Sequence, residues 1–284
     1  MRKLVYVFSI ALVWGIVGFS VSGCSNKKPK TVDSANIDTL AKDTTGEDSS
    51  EQLIASTPMP KAADELFDDF IFNFAASRKT QFKRIVFPLK VYSNGRVIRT
   101  IDPFHWKLDH FFMRQDYYTL IFDNPRQMNM PKDTKISHVI IEKIYFSKSI
   151  VKQYLFNRIN GQWKLTSINY NRLYKNTNAS FLRFYKVFAS DSTFQIEHIH
   201  DPVKFIGPDP DNDFSTMTGE IIPEQWPAFA PKFPQGMIYN IIYGQKYTES
   251  NQKVFVIRGI ANGLEQEFTF RRIRGRWMLM KMSI

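Results

Sequence analysis

Apolar positions along the chain recur with two spacings, three-and-four in some stretches and two in others. Phe67, Phe70, Ile71 and Phe74 stand at i, i+3, i+4 and i+7, which predicts an amphipathic helix over about 62–77. A short helix is expected around 81–86. It stops before Pro88, because the residue ahead of a proline is pushed out of the helical region. Residues 89–100 read as a hairpin around Asn94-Gly95, a pair suited to the positive φ angles of a type I′ turn. Asp102 followed by Pro103 reads as an N-cap and a first-turn proline, opening a helix through Phe112. Strands are expected at about 117–122, 136–146, 151–159 and 162–170.

The last two of these strands meet at Asn160-Gly161. Centring a hairpin there sets Arg158 opposite Trp163 and Phe156 opposite Leu165, all on one face, with Asn157 and Lys164 on the wetter one. Arg158 beside Trp163 predicts a cation–π lid, worth about 0.5–1 kcal/mol when exposed.

The whole pattern occurs twice. Phe156, Arg158, Ile159, Gly161, Trp163 and Leu165 recur 114 residues later as Phe270, Arg272, Ile273, Gly275, Trp277 and Leu279. At the same offset, Phe67, Phe70, Phe74 and Ala75 map onto Phe181, Phe184, Phe188 and Ala189, while Ile85 and Pro88 map onto Ile199 and Pro202. Pro103 and Trp106 map onto Pro223 and Trp226 at an offset of 120, so the loop 207–219 carries about six extra residues. So many aligned aromatics predict an internal duplication. The expected division is a first unit over 62–172 and a second over 173–284.

Composition changes the picture at the N-terminus. Residues 25–60 contain no aromatic residue and are rich in Ser, Thr, Asp and Lys, which predicts a disordered tether. A coil of that length spans roughly 33 Å r.m.s.. Ahead of it, Arg2-Lys3 forms a basic start, residues 4–19 are mostly apolar, and Val21-Ser22-Gly23-Cys24 follows. That arrangement resembles a bacterial lipobox, with residues 1–23 as signal peptide and Cys24 as the lipidated first residue of the mature chain. Val21 stands where leucine is commoner. The apolar run is short for a membrane span, which needs about 20 residues. Cys24 is the single cysteine, so its lipidation leaves no thiol for disulfides or cysteine catalysis. No acidic cluster follows it, and the expected location is the cell envelope, lipid-anchored in the outer membrane and facing the periplasm. The formal net charge of +11 permits anionic partners. Export argues against nucleic acid and favours an anionic envelope component or a protein partner.

Each unit thus has a long helix, shorter helices and an antiparallel meander ending in G-x-W-x-L. This resembles the nuclear-transport-factor-2-like superfamily, and together with the lipobox and tether it resembles a Bacteroidota lipoprotein family carrying a domain of unknown function. The resemblance implies an α+β fold of two tandem cone-like (cystatin-like) domains, each with helices packed on a curved antiparallel sheet. No catalytic motif of the superfamily maps onto positions here.

Candidate chemistry is sparse. His198-x-His200, with Glu197 and Asp201 beside it, has the residue types of a metal site, but the first unit offers Arg84 and Val86 there and a helix end is expected. His105, Trp106, Asp109 and His110 cluster in the first unit, where a carboxylate and a histidine could act as acid and base. The second unit offers Gln225 and Trp226 instead. An isomerase- or cyclase-like site in the first cone would draw on Asp102, Asp116, Tyr117 and Tyr118. There is no nucleophile elbow, phosphate-cradling glycine loop or H-E-x-x-H. The expected function is non-catalytic binding of a small ligand or a protein or glycan partner, without metal or other cofactor. His105, Trp106, His110 and Trp226 are the candidate ligand-binding residues.

Overall fold

The computed structural model describes residues 64–245 and 250–284. Cys24, the signal peptide and the whole of the expected tether lie outside them. All the described residues fall within one compact unit. In chain order they form α1 (Phe67–Ala76), α2 (Arg78–Arg84), β1 (Ile85–Ser93), β2 (Arg96–Ile101), β3 (Tyr117–Phe122), β4 (His138–Tyr145), β5 (Ile150–Ile159) and β6 (Gln162–Arg172). The second unit adds α3 (Ala179–Phe188), α4 (Ser192–Glu197), β7 (Ile199–Asp209), β8 (Asn212–Ile221), α5 (Trp226–Phe229), β9 (Met237–Ile242), β10 (Gln252–Gly259), β11 (Glu265–Ile273) and β12 (Arg276–Ser283).

The hairpin registers follow the sequence pattern. Phe156 faces Leu165 and Arg158 faces Trp163, and their copies pair in the same way. The Arg158 guanidinium lies 5.0 Å from the Trp163 ring centroid and that of Arg272 4.8 Å from Trp277. Arg158 also donates to the carbonyls of Asp64 (2.6 Å) and Thr134 (2.7 Å), clasping the entry to α1. Asn94-Gly95, Asn160-Gly161 and Arg274-Gly275 all take positive φ.

Three expectations are corrected. The second helix is α2, ending at Arg84, and Pro88 lies inside β1. Ser77 caps α2 by accepting from the Thr80 amide (3.2 Å), and Asp191 caps α4 through the Phe194 amide (3.0 Å). No continuous helix runs from 103 to 112: a 3₁₀ turn at Pro103–His105 ends at Trp106, whose backbone is extended, and a second turn begins at Phe111. The Asp102 side chain makes no capping bond. The extra residues at 207–219 are no loop, because they lengthen the β7–β8 hairpin.

One twelve-stranded sheet runs β2-β1-β6-β5-β4-β9-β3-β10-β11-β12-β7-β8. The order is palindromic if each strand of the first unit is matched to its repeat. β3 pairs antiparallel with β10, the repeat of β4, while β9 pairs with β4 itself. The centre is a parallel contact between β3 and β9 at Thr119 and Asn240. The sheet therefore runs across the boundary expected at 172/173, and each unit lends its third strand to the other.

This exchange explains the composition of the central strands. Tyr118, Leu120 and Phe122 of β3 enter one core and Ile121 the other. On β10, Val254 and Val256 face the first core, Phe255 and Ile257 the second. Strands buried on both faces read as unbroken apolar runs rather than alternations. The cores lie on opposite faces of the sheet. In the first, Phe67, Phe70, Phe74 and Phe156 are at most 3% exposed, and in the second Phe181, Phe188 and Phe270 pack the same way. Ring centroids lie 5.4 Å apart for Phe74–Phe156 and 5.3 Å for Phe188–Phe270. Burying each such side chain stabilises by about 1.5–3 kcal/mol. The rings fill the space beneath each long helix.

Candidate binding groove

Gln81, fully buried midway along α2, organises the irregular stretch that follows β2. Its Oε1 accepts from Trp106 Nε1 (2.9 Å) and from the Asp109 amide (3.3 Å), and its Nε2 donates to the carbonyls of Phe74 (2.9 Å) and Asp109 (2.7 Å). The second unit repeats the bridge at the offset of 114. Gln195 accepts from Trp226 Nε1 (3.0 Å) and donates to the Phe188 carbonyl (2.7 Å). Sequence reading tracked the aromatics and missed both glutamines, although they obey the same offset.

Between β2, the 102–109 stretch and strands β5 and β6 lies a groove of about 640 Å³. Trp106 forms part of its wall at 6% exposure, and His105 stands at the rim with its side chain 79% exposed, 3.9 Å from Asp102. Arg99, Lys107 and Lys152 also line it. Asp109 sits at the inner end. It accepts from the Phe111 amide (2.9 Å) and from the Tyr154 hydroxyl, and Lys152 Nζ lies 3.8 Å away. Burial, reinforced by the neighbouring Asp109 charge, pushes the Tyr154 phenol far above its ordinary range, so it stays a neutral donor. Burial lowers the Lys152 pKa, opposed by Asp109 and aided by Lys143 and Arg99. Its ammonium also lies 4.3 Å from the Tyr154 ring centroid. The groove thus presents three cations and two carboxylates, Asp102 beside His105 at the rim and Asp109 at the inner end, where Tyr154 and a backbone amide already engage it.

The remaining candidates are placed elsewhere. His110 is half-buried where the second 3₁₀ turn starts and does not line the groove. Trp226, expected to bind ligand, is 1% exposed and tied to Gln195, a core side chain. His198 stacks on Phe194 with ring centroids 3.7 Å apart, and its Nδ1 lies 2.9 Å from the Phe194 carbonyl. The Nδ1 of His200 lies 2.9 Å from the Pro202 carbonyl. Among the described residues no three His, Cys, Asp or Glu side chains stand close enough to hold a metal. Tyr118 is buried, with its phenol raised to about 12 chiefly by burial.

The second unit has its own groove, about 690 Å³, between the ends of α3 and α4 and the 231–235 stretch. There Gln266 replaces Lys152, and the position matching Asp109 is Phe229. The cationic set belongs to the first unit alone.

An aromatic-cored helix layer on a strand-rich sheet defines an α+β protein of the NTF2-like fold. A crystal structure of an NTF2-like protein from Bacteroides fragilis is similar to it at 40% identity, covering 80% of this chain and 98% of that one with a TM-score of 0.73. Residues 46–284 match a domain of unknown function, DUF4348, and the chain belongs to that family. No curated protein matches it.

Proposed function

We propose that this protein is a cell-envelope lipoprotein, anchored through Cys24, whose duplicated cone-like units serve binding rather than catalysis. The ligand is an anionic envelope component, a carboxylated or phosphorylated glycan, held in the groove of the first unit. The observation that carries the reading is that Arg99, Lys107 and Lys152 line one groove and outnumber its two carboxylates, Asp102 and Asp109, in the unit whose groove faces β2. Lys152, partly desolvated, gains more from an anion than the exposed Arg99 and Lys107 do, and those two add attraction at the rim. Against the isomerase- or cyclase-like alternative stand the phenylalanine and tryptophan rings that occupy the space a buried substrate would need.

The anchor is tested by growth with an alkyne-tagged fatty acid. Label is expected on the wild-type chain and absent from Cys24→Ser, and equal labelling would remove the anchor from the proposal. Binding is tested on an array of neutral, carboxylated and phosphorylated oligosaccharides. Retention confined to the charged sugars supports the groove assignment, and retention of neutral sugars alone refutes it.

A further inference from the structure

The two ends of the sheet are β2 and β8. Each pairs on one side only, β2 with β1 and β8 with β7, so each presents a row of backbone donors and acceptors that no described strand takes up. β2 is exposed along nearly its whole length. Val97 is 52% and Ile98, the extra residue of a bulge against β1, 57% exposed, and Phe104 just beyond is 97% exposed. The far edge exposes Phe214 fully, at 101%, and Met217 at 42%. Sheet edges that stay solitary are commonly guarded by charge, proline or bulges. Neither β2 nor β8 contains proline, and each relies on charged residues and a register shift in its hairpin, so a partner edge of opposite charge meets no charge barrier.

The edges also carry opposite charge. The β1–β2 hairpin holds Lys90, Arg96 and Arg99 and no acid. The β7–β8 hairpin holds Asp201, Asp209, Asp211, Asp213 and Glu220 against Lys204. Two strands from one duplicated template have thus diverged to complementary sign while both kept exposed apolar side chains.

We propose that the basic β2 edge of one copy docks on the acidic β8 edge of another, adding strand to strand. Main-chain hydrogen bonds supply affinity in such an addition and the charges select the partner edge. The two patches differ, so the contact is heterologous, and each added copy offers a fresh edge for the next. The proposal is independent of the groove ligand, although Arg99 borders both surfaces.

Sedimentation of the purified full chain tests it. In about 0.05 M salt the weight-average mass is expected to rise with concentration, beyond twice the 33.2 kDa of one copy, and to fall back in about 0.5 M salt. Arg96→Glu and Asp211→Lys, both at exposed turn-end positions, are each expected to hold the chain at the mass of one copy with an unchanged circular dichroism spectrum. An equimolar mixture of the two variants is expected to give a dimer and nothing larger, because each supplies one intact edge and one blocked edge. A mass independent of concentration, assembly that survives either substitution, or a mixture that stays monomeric overturns the proposal. So does a wild-type chain that binds phosphatidylglycerol vesicles through Arg96 without self-association, which would assign the basic edge to a lipid surface.

Discussion

Replacing Gln81 by leucine keeps the volume of the side chain and removes every hydrogen bond it makes. Four are lost: those with Trp106 Nε1, the Asp109 amide, the Phe74 carbonyl and the Asp109 carbonyl. Each contributes about 1 kcal/mol net, so the cost is about 4 kcal/mol, with the indole N–H and two carbonyls left buried. The same change at Gln195 removes two bonds, for about 2 kcal/mol. For the single compact body that both halves form, this corresponds to a fall in melting temperature of roughly 8–16 °C for Gln81→Leu and roughly 4–8 °C for Gln195→Leu. Urea unfolding followed by tryptophan fluorescence measures both. Gln81→Leu also frees Asp109 and Trp106 from their fixed positions, so ligand binding falls together with stability, whereas Gln195→Leu leaves binding intact. If the two glutamines cost the same, or if Gln81→Leu costs under about 1 kcal/mol, the bridge is not what sets the groove.

Three further outcomes follow from the buried groups. Lys253, 3% exposed, donates to Asp123 and to Asn178 (2.7 Å), so Lys253→Met strands a buried carboxylate and is expected to cost about 3–5 kcal/mol in urea unfolding. Phe156→Ala empties the middle of the first core and is expected to cost about 3–5 kcal/mol, without opening a site that gains activity. Glu142 is fully buried on β4, and burial raises its pKa above 4.5 despite donation from Gln153 (2.9 Å), Asn176 (2.7 Å) and Asn240 (3.1 Å). Above 4.5 the unfolded chain releases this proton first, so the folded state is progressively disfavoured as pH rises towards the raised value. The stability of wild type relative to Glu142→Gln is therefore expected to fall as pH climbs above about 4.5, and a difference that stays flat would contradict the assignment.

Local features were the legible part of this fold. The register of Arg158 on Trp163, the Asn94-Gly95 and Asn160-Gly161 turns and the long helices follow from spacings of a few residues. The exchange of β3 and β9 was not legible in that way, because a strand's pattern states which faces are buried and not which strand lies beside it. One signal was present: Tyr117–Phe122 and Met237–Ile242 do not alternate and hold one polar residue each, Thr119 and Asn240, as strands buried between two cores can. The third helix failed for a physical reason. Asp102-Pro103 is a sound helix start, but Trp106 swings inward to reach Gln81 and the backbone extends to let it. Of the expected site, His105 and Trp106 border the groove, whereas Trp226 went to the core because its indole N–H has a buried acceptor in Gln195. Arg99, Lys107 and Lys152 were invisible as a set, coming from three separate segments.

The central claim is that the groove of the first unit binds an anionic glycan without transforming it. Isothermal titration of an acidic oligosaccharide, drawn from those the array retains, into wild type, Lys152→Gln and Gln266→Ala tests this directly. Wild-type binding is expected to weaken with salt, Lys152→Gln to lose about tenfold or more, Gln266→Ala to bind unchanged, and the ligand to be recovered intact. Binding that is indifferent to Lys152 and to salt, or a ligand recovered as product, would contradict it.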